Sequence, residues 1–238
     1  TDPKVREALK VATNAQAWID AGGGEKAYGP AESIVNPAVV GYQANPAFDG
    51  PQEGDPEAAK AMLEDAGVKM PYPITFTYPS TETADKQAAA LKETWDQAGF
   101  DVTLDGLGST YFDAVARPDK ESDVMWTVWG ADWPSAITVT PPLFDSRVNL
   151  TETSDGQDTG AYESQEFNSL VDQAQQASTL DEQTATLREA DKVLGEDVAY
   201  IPLDVANFYF LHGSRVTGYV NAASSSGYPD LGPIGVAG

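Results

Sequence analysis

The chain is organised around one stretch, Val124-Met-Trp-Thr-Val-Trp-Gly-Ala-Asp-Trp-Pro134. Its first six residues predict a buried strand whose side chains alternate between two faces. Gly130 and Pro134 then end the strand pattern, because neither is readily accommodated in a strand interior. Three of the five tryptophans of the chain lie in this stretch, and one carboxylate, that of Asp132, lies among them.

A carboxylate between large aromatic side chains at the carboxyl end of a strand is a candidate site for a cationic group of a ligand. Aromatic walls exclude water, so a charge acts there at lower effective dielectric, and indole faces also attract cations. The alternative interpretation is a core strand whose tryptophans pack in the interior and whose aspartate caps the following turn. The pattern alone leaves both open.

The overall composition narrows the classes of function. The 238 residues suffice for one large or two small domains, and 41% of them are hydrophobic. The 37 acidic residues outnumber the 14 basic ones and give a net charge of -23. This charge repels nucleic acid and anionic membrane surfaces and favours cationic or neutral ligands, although a solvated acidic surface also accounts for it. No apolar run approaches the roughly 20 residues of a membrane span.

The residues that the sequence lacks exclude several chemistries. Without cysteine there is no disulfide, no thiolate catalysis and no cysteine-bound zinc. His212 is the only histidine, which excludes a histidine-rich metal site, and we predict no metal and no cofactor. A hydrolase that uses paired carboxylates from Asp101, Asp105, Asp113 and Asp132 remains an alternative.

The first half of the chain alternates helix and strand signals. Asp2-Pro3 starts a predicted helix that runs to about residue 20. A loop follows over residues 27–54, and loops of this length are usually functional or wrap another part of the protein. The elements predicted next are a helix from Asp55, a strand over 74–78, a helix over 81–98, a strand over 100–104, a short helix after Ser109 and a strand over 123–129. This order predicts an open-sheet α/β fold.

The second half begins with a mostly irregular region, residues 130–162, which contains a short helix near 142–146. Ser164 caps the next predicted helix, and Asp181 starts another. Apolar runs over 200–203 and 207–211 predict two late strands.

Four blocks of the sequence, taken together, carry a resemblance to a known family. They are Asp2-Pro-Lys-Val-Arg-Glu-Ala-Leu9, Asp55-Pro-Glu-Ala-Ala-Lys-Ala-Met-Leu-Glu-Asp-Ala-Gly67, Trp129-Gly-Ala-Asp-Trp-Pro134 and Ala199-Tyr-Ile-Pro-Leu203. In the same order they resemble blocks of the extracellular solute-binding proteins of ABC importers. The class in question binds oligopeptides, dipeptides or nickel chelates.

The resemblance implies a fold and a domain arrangement. We expect an α/β lobe like those of periplasmic binding proteins, with a mixed open sheet flanked by helices. Family members are much longer than this chain and have two lobes that close on a ligand. Residues 1–205 would then form the carboxyl-terminal lobe, and residues 206–238 a tail that returns toward the first lobe. The start at Thr1, without methionine or a signal-like segment, indicates a fragment or a processed chain.

The resemblance also implies roles for the residues of the tryptophan-rich stretch. The position of Asp132 holds the α-ammonium of a bound peptide in the family, and that of Trp129 lines a side-chain pocket. Some members place an arginine for the ligand carboxylate three positions before that tryptophan, where this chain has Trp126. A carboxylate clamp is therefore not evident here, which leaves room for longer peptides, amino sugars or oligosaccharides. The candidate ligand-binding residues are Trp126, Trp129, Gly130, Ala131, Asp132 and Trp133.

The function that the resemblance implies is capture of an extracellular solute, with a peptide as the favoured ligand, and no catalysis. The expected partners are that small-molecule or peptide ligand and an ABC permease in the membrane, but not nucleic acid. We expect a monomer, extracellular or periplasmic, anchored to the membrane through an amino-terminal region absent from this chain. The alternatives are an oligosaccharide or other solute bound on the same fold, a carboxylate hydrolase, and an interaction domain that uses the acidic surface.

Overall fold

The computed structural model describes residues 2–221 and 228–238. Its helices are α1 (Pro3–Ala12), α2 (Ala15–Gly22), α3 (Pro56–Asp65), α4 (Glu82–Gln97), α5 (Tyr111–Val115), α6 (Thr140–Phe144), α7 (Ser146–Asn149), α8 (Gln165–Gln176) and α9 (Leu180–Glu196). Its strands are β1 (Tyr28–Pro30), β2 (Tyr72–Pro79), β3 (Phe100–Leu107), β4 (Val124–Met125), β5 (Asp204–Ala206), β6 (Val216–Thr217) and β7 (Gly235–Val236). Short 3-10 turns lie at Pro46–Phe48 and Ala136–Thr138.

A parallel sheet with strand order β3–β2–β4 is the centre of the fold. The connection from β2 to β3 is α4, since parallel neighbours need a long crossover. Phe76 of β2 packs on Trp95 of α4, with ring centroids 5.4 Å apart. Helices α1, α2 and α3 bury their apolar faces in the same core. The α/β class predicted from the sequence is confirmed, and antiparallel pairing occurs in two separate pairs, β1–β5 and β6–β7.

A second hydrophobic core lies between α6, α8 and α9. The rings of Phe144 and Phe167 meet there, with centroids 6.0 Å apart. The long loop of residues 27–54 is fastened to α9 through Asp191, a buried carboxylate. Asp191 accepts hydrogen bonds from Ser33 Oγ at 3.1 Å and Asn45 Nδ2 at 3.0 Å. This loop therefore wraps another part of the chain.

Local capping signals place the helix starts as predicted. The Asp55 side chain accepts from the Ala58 N–H at 2.9 Å, and α3 begins there. Ser164 starts α8 in the same way. The helix predicted from Asp181 begins one residue earlier, because Thr179 caps it and forms a reciprocal capping box with Glu182.

The single helix predicted from Asp2-Pro3 to about residue 20 is wrong, because α1 and α2 are separate. The Asn14 side chain accepts from the Ala17 N–H at 2.8 Å and starts α2. Thr13 lies between the helices, and its hydroxyl accepts from the Trp95 indole N–H at 3.1 Å. The apolar period continued through the break because both helices face the same core.

The two strands predicted over 200–203 and 207–211 are also wrong. Only β5, between them, forms, and it pairs antiparallel with β1. Strand β1 ends at Pro30, which has no N–H to extend the pairing. On the other side the partner positions belong to the turn that follows α2, and Phe208 and Leu211 are 70% and 97% exposed. Throughout the described parts of the chain, no helix combines the length and the apolar character that crossing a membrane requires.

Candidate functional site

The tryptophan-rich stretch leaves the parallel sheet early. The strand predicted over 123–129 is wrong in length, because β4 contains only Val124–Met125. One further ladder bond forms, from the Trp126 N–H to the Thr77 carbonyl at 3.1 Å. Val128, which belongs to the predicted buried strand, is 54% exposed. We call residues 126–138 the site loop; it extends from the carboxyl end of β4, where ligand sites of open parallel sheets lie.

The far end of the site loop is held by the long loop of residues 27–54. The Val40 N–H donates to the Pro134 carbonyl at 3.2 Å, and the Ala136 N–H donates to the Val40 carbonyl at 2.8 Å. Gly41 follows with a φ of 103°, and a Cβ there would lie 2.8 Å from the Ala136 Cβ. The far end of the site loop therefore pairs with Val40 and not with β2.

Trp126 differs from the other two tryptophans of the site loop. It is partly buried and packs against the first core. Its ring centroid lies 6.4 Å from that of Tyr111, whose hydroxyl donates to the Trp126 carbonyl. Burial raises the pKa of Tyr111, so this phenol stays protonated and remains a donor. The packing interpretation thus describes Trp126, and its part in a ligand wall stays a prediction.

Trp129 and Trp133 are 36% and 55% exposed, so the packing interpretation does not describe them. The Trp129 indole N–H donates to the Thr138 carbonyl at 2.9 Å. The Trp133 carbonyl accepts from the Ser135 N–H at 2.6 Å and from the Thr138 hydroxyl at 3.1 Å. Two large aromatic faces are therefore presented to solvent from a hydrogen-bonded loop.

Asp132 is exposed between these two tryptophans. Within residues 2–221 and 228–238, no group donates a hydrogen bond to its carboxylate or pairs with it. It does not cap the turn at Ala136–Thr138, which has no side-chain cap. Open space surrounds Gly130, whereas Ala131 packs against the second core and anchors the loop. A ligand ammonium could therefore reach the carboxylate and donate charge-assisted hydrogen bonds to it.

No motif in the sequence indicated the residues that support this loop. Thr138, Val40 and Gly41 carry no motif, and only the unusual length of the 27–54 loop hinted at its involvement. The other acids proposed for a hydrolase belong to β3 and α5 and not to the site loop. Asp105 accepts from the Thr77 hydroxyl at 3.3 Å within the sheet, and Asp101 is exposed on β3.

The most perturbed carboxyl group lies away from the site loop, in the segment before α8. Asp158 is fully buried and accepts from the Tyr200 hydroxyl at 2.8 Å and the Tyr162 N–H at 2.9 Å. Burial raises its pKa to about 6 despite these hydrogen bonds. Among the described residues, no group of three or more histidine, aspartate or glutamate side chains is arranged to hold a metal ion.

Comparison with known proteins identifies the family. The sequence model described as bacterial extracellular solute-binding proteins, family 5, middle region, matches residues 1–150. The chain belongs to this family. The glutathione-binding proteins GsiB of Salmonella paratyphi A and Escherichia coli are each 27% identical over 223 residues. The alignment covers 92% of this chain but 42% of each relative, so the chain spans less than half the length of these family members.

Solved structures of other proteins have the same fold as this chain. The periplasmic binding protein DppA from Helicobacter pylori, in complex with the peptide STSA, has a TM-score of 0.84 at 23% identity. The structural alignment covers 100% of this chain and 44% of the DppA chain. The clavulanic acid biosynthesis oligopeptide binding protein 2 has a TM-score of 0.83 at 22% identity over 99% of this chain and 44% of its own. The predicted likeness to a periplasmic binding protein is confirmed.

Proposed function

We propose that a longer protein containing this chain captures a peptide outside the cytoplasmic membrane and delivers it to an ABC permease without chemical change. The observation that carries the proposal is the exposed Asp132 carboxylate between two exposed indoles, in a member of an extracellular solute-binding family. Relatives named for binding glutathione and a structure solved with a peptide support a peptide as the ligand.

Each residue of the site has a physical role in this proposal. Asp132 accepts hydrogen bonds from the peptide ammonium, and aromatic walls strengthen this contact by excluding water. Trp129 and Trp133 form the walls, and the open space at Gly130 allows the ligand backbone to approach. Ala131 fixes the loop to the second core. Trp126, which is partly buried against the first core, supports the start of the loop and contributes its exposed part to the aromatic wall.

We propose that residues 1–205 form one lobe and that residues 206–238 contact the remainder of the longer protein. Strand β5 and the Asn207 N–H, which donates to the Ala27 carbonyl at 2.8 Å, attach the start of this tail. Beyond it, large apolar side chains are exposed, with Leu211 at 97% and Leu231 at 76%. Contact with a second lobe would remove them from water, and lobe closure would shift an open–closed equilibrium on ligand binding. The longer protein would act as a monomer and be anchored at the membrane.

An oligosaccharide is a second candidate ligand on the same fold. Two partly exposed indoles on one loop favour it, because flat aromatic faces pack against sugar rings as well as against peptide side chains. The two ligand classes differ in whether their binding depends on Asp132. A peptide ammonium requires the carboxylate charge, whereas a neutral sugar does not.

The test is ligand retention by the whole protein, offered a pool of peptides and oligosaccharides, with bound species identified by mass spectrometry. We expect retained peptides that bear a free amine, and their loss in Asp132→Ala. Asp101→Ala removes another exposed carboxylate, on β3, and is the matched control that keeps binding. Sugars retained equally by wild type and Asp132→Ala would refute the peptide proposal. Products released from the pool, and lost in Asp132→Asn, would instead indicate a hydrolase.

A further inference from the structure

Thr138 touches both exposed tryptophans of the site loop. It is 2% exposed and ends the 3-10 turn Ala136–Thr138. Its carbonyl accepts the Trp129 indole N–H at 2.9 Å. Its hydroxyl lies 3.1 Å from the Trp133 carbonyl and 2.9 Å from the Ser135 carbonyl. One buried residue thus connects the side chain of one tryptophan with the backbone of the other.

These contacts limit the conformations that the loop can adopt. A partly exposed indole can occupy several rotamers, and a hydrogen bond from its ring N–H selects one of them. The hydroxyl closes the turn that carries Trp133, which fixes where that side chain leaves the backbone. Asp132 lies between the two fixed points, so its backbone is positioned as well.

The segment around Val40, which pairs with the turn containing Thr138, is itself attached to a helix. The turn that contains Thr138 pairs with Val40, through the Ala136 N–H that donates at 2.8 Å. The segment around Val40 is fastened to α9 by the buried Asp191, which binds Ser33 and Asn45. Hydrogen bonds on both sides of Val40 therefore attach the segment that holds the site loop to a long helix.

We propose that Thr138 is a positioning residue that holds Trp129 and Trp133 around Asp132 before a ligand arrives. Binding to a preformed site avoids ordering rotamer-rich side chains at the moment of association. The ligand half of this proposal rests on the proposed function, whereas the arrangement of the two indoles does not. The two halves are therefore measured separately.

Three variants isolate the Thr138 hydroxyl. Thr138→Val keeps the shape and removes the donor, whereas Thr138→Ser keeps the hydroxyl and removes a methyl group. Thr140→Val is the matched control, because Thr140 is 0% exposed and its hydroxyl reaches the Ala136 carbonyl at 3.5 Å, with neither tryptophan as a partner.

The first measurement is fluorine NMR of the whole protein labelled with 5-fluorotryptophan, with resonances assigned by Trp129→Phe and Trp133→Phe. We expect the Trp133 resonance to move and broaden in Thr138→Val, which removes the hydroxyl bonded to the Trp133 carbonyl, to return in Thr138→Ser, and to stay in place in Thr140→Val. The Trp129 resonance should change less, because Thr138→Val keeps the backbone carbonyl that accepts its indole N–H. A companion measurement uses only the wild-type protein, so it still tests the proposal if a variant fails to fold. The Trp129 indole N–H should exchange with solvent more slowly than that of Trp133, which has no acceptor within the described chain. Equal exchange rates, or an unmoved Trp133 resonance in Thr138→Val, would overturn the proposal.

The second measurement is affinity for the tetrapeptide Ser-Thr-Ser-Ala. We expect Thr138→Val to bind about fivefold more weakly than wild type, a size set by one immobilised side chain, with Thr138→Ser and Thr140→Val close to wild type. Unchanged affinity in Thr138→Val, with Asp132→Ala inactive, refutes the positioning role and leaves the peptide function standing. Wild type that binds no peptide, with the NMR changes as expected, refutes the peptide function and leaves the positioning role standing.

Discussion

Lowering the pH should stabilise this chain through Asp158. The carboxyl group is fully buried, its hydrogen-bond donors are neutral, and burial raises its pKa from 3.8 to about 6. Above pH 6 the folded state holds a buried charge. As the pH falls through the folded-state pKa, the folded state takes up a proton that the unfolded state still lacks. The free energy of unfolding therefore rises as the pH falls from above 6 toward 4.

The magnitude follows from the two pKa values. At about 1.4 kcal/mol per pH unit between them, full protonation contributes about 3 kcal/mol. Between about pH 7.5 and about pH 5 the gain is about 1.4 kcal/mol, because the folded-state carboxyl is then mostly protonated and the unfolded-state carboxyl is not. Burial also raises the pKa values of Asp191 and Asp204, so their contributions have the same sign.

The assay is urea unfolding at both pH values, for wild type and for Asp158→Asn, which is neutral at either. The difference between the two free energies of unfolding removes the contribution of the titratable groups that both proteins contain. The stability of wild type relative to Asp158→Asn should rise by about 1.4 kcal/mol on going to the lower pH. Asp101→Asn, which removes an exposed carboxylate, is the control for loss of one charge. A difference between wild type and Asp158→Asn that does not change with pH would refute the reasoning.

Three further predictions concern buried contacts, each measured by urea unfolding near neutral pH. Lys120→Met leaves the buried Asp155 carboxylate without its cation and should cost about 3 kcal/mol, which adding Asp155→Asn should largely restore. Gly41→Ala should cost about 2 kcal/mol, because φ is positive and the new Cβ meets Ala136 at 2.8 Å. Phe167→Ala should cost about 4 kcal/mol by opening a cavity in the second core. Losses under about 0.5 kcal/mol would contradict each argument.

The helices were the most predictable part of the fold, and the reason is distance along the chain. The side-chain oxygens of Asp55, Ser164 and Thr179 each accept a hydrogen bond from the N–H three residues later. Such a signal lies wholly inside a short window of sequence, so reading the window finds the helix start. The break at Asn14 obeys the same rule, and it was missed because the apolar period on both sides pointed to one core.

The strands were harder to predict because a strand forms only where another segment, often distant in the sequence, is placed to pair with it. The apolar residues after β5 had the right composition, yet the positions opposite them, before Tyr28, belong to the turn that follows α2 and offer no strand to pair with. The stretch after β4 failed for a related reason. Its pairing with β2 ends early, and its far end, at Ser135, pairs with Val40, some ninety residues earlier in the chain, a contact that no periodicity reveals.

The candidate site shows why a core pattern and a ligand-binding pattern are easily confused. Val128 and Trp129 end an apolar run that predicted a buried strand over 123–129, and Trp133 follows shortly after it. In the structure they are exposed, so their apolar surface remains available to stabilise contact with another molecule. Large aromatic side chains are kept in water here by a loop that Thr138 and Val40 hold in place. Where an apolar strand pattern ends in Gly, Asp and Pro, the exposed-loop interpretation therefore deserves equal weight with the core interpretation, and Asp132 is the residue that separates them.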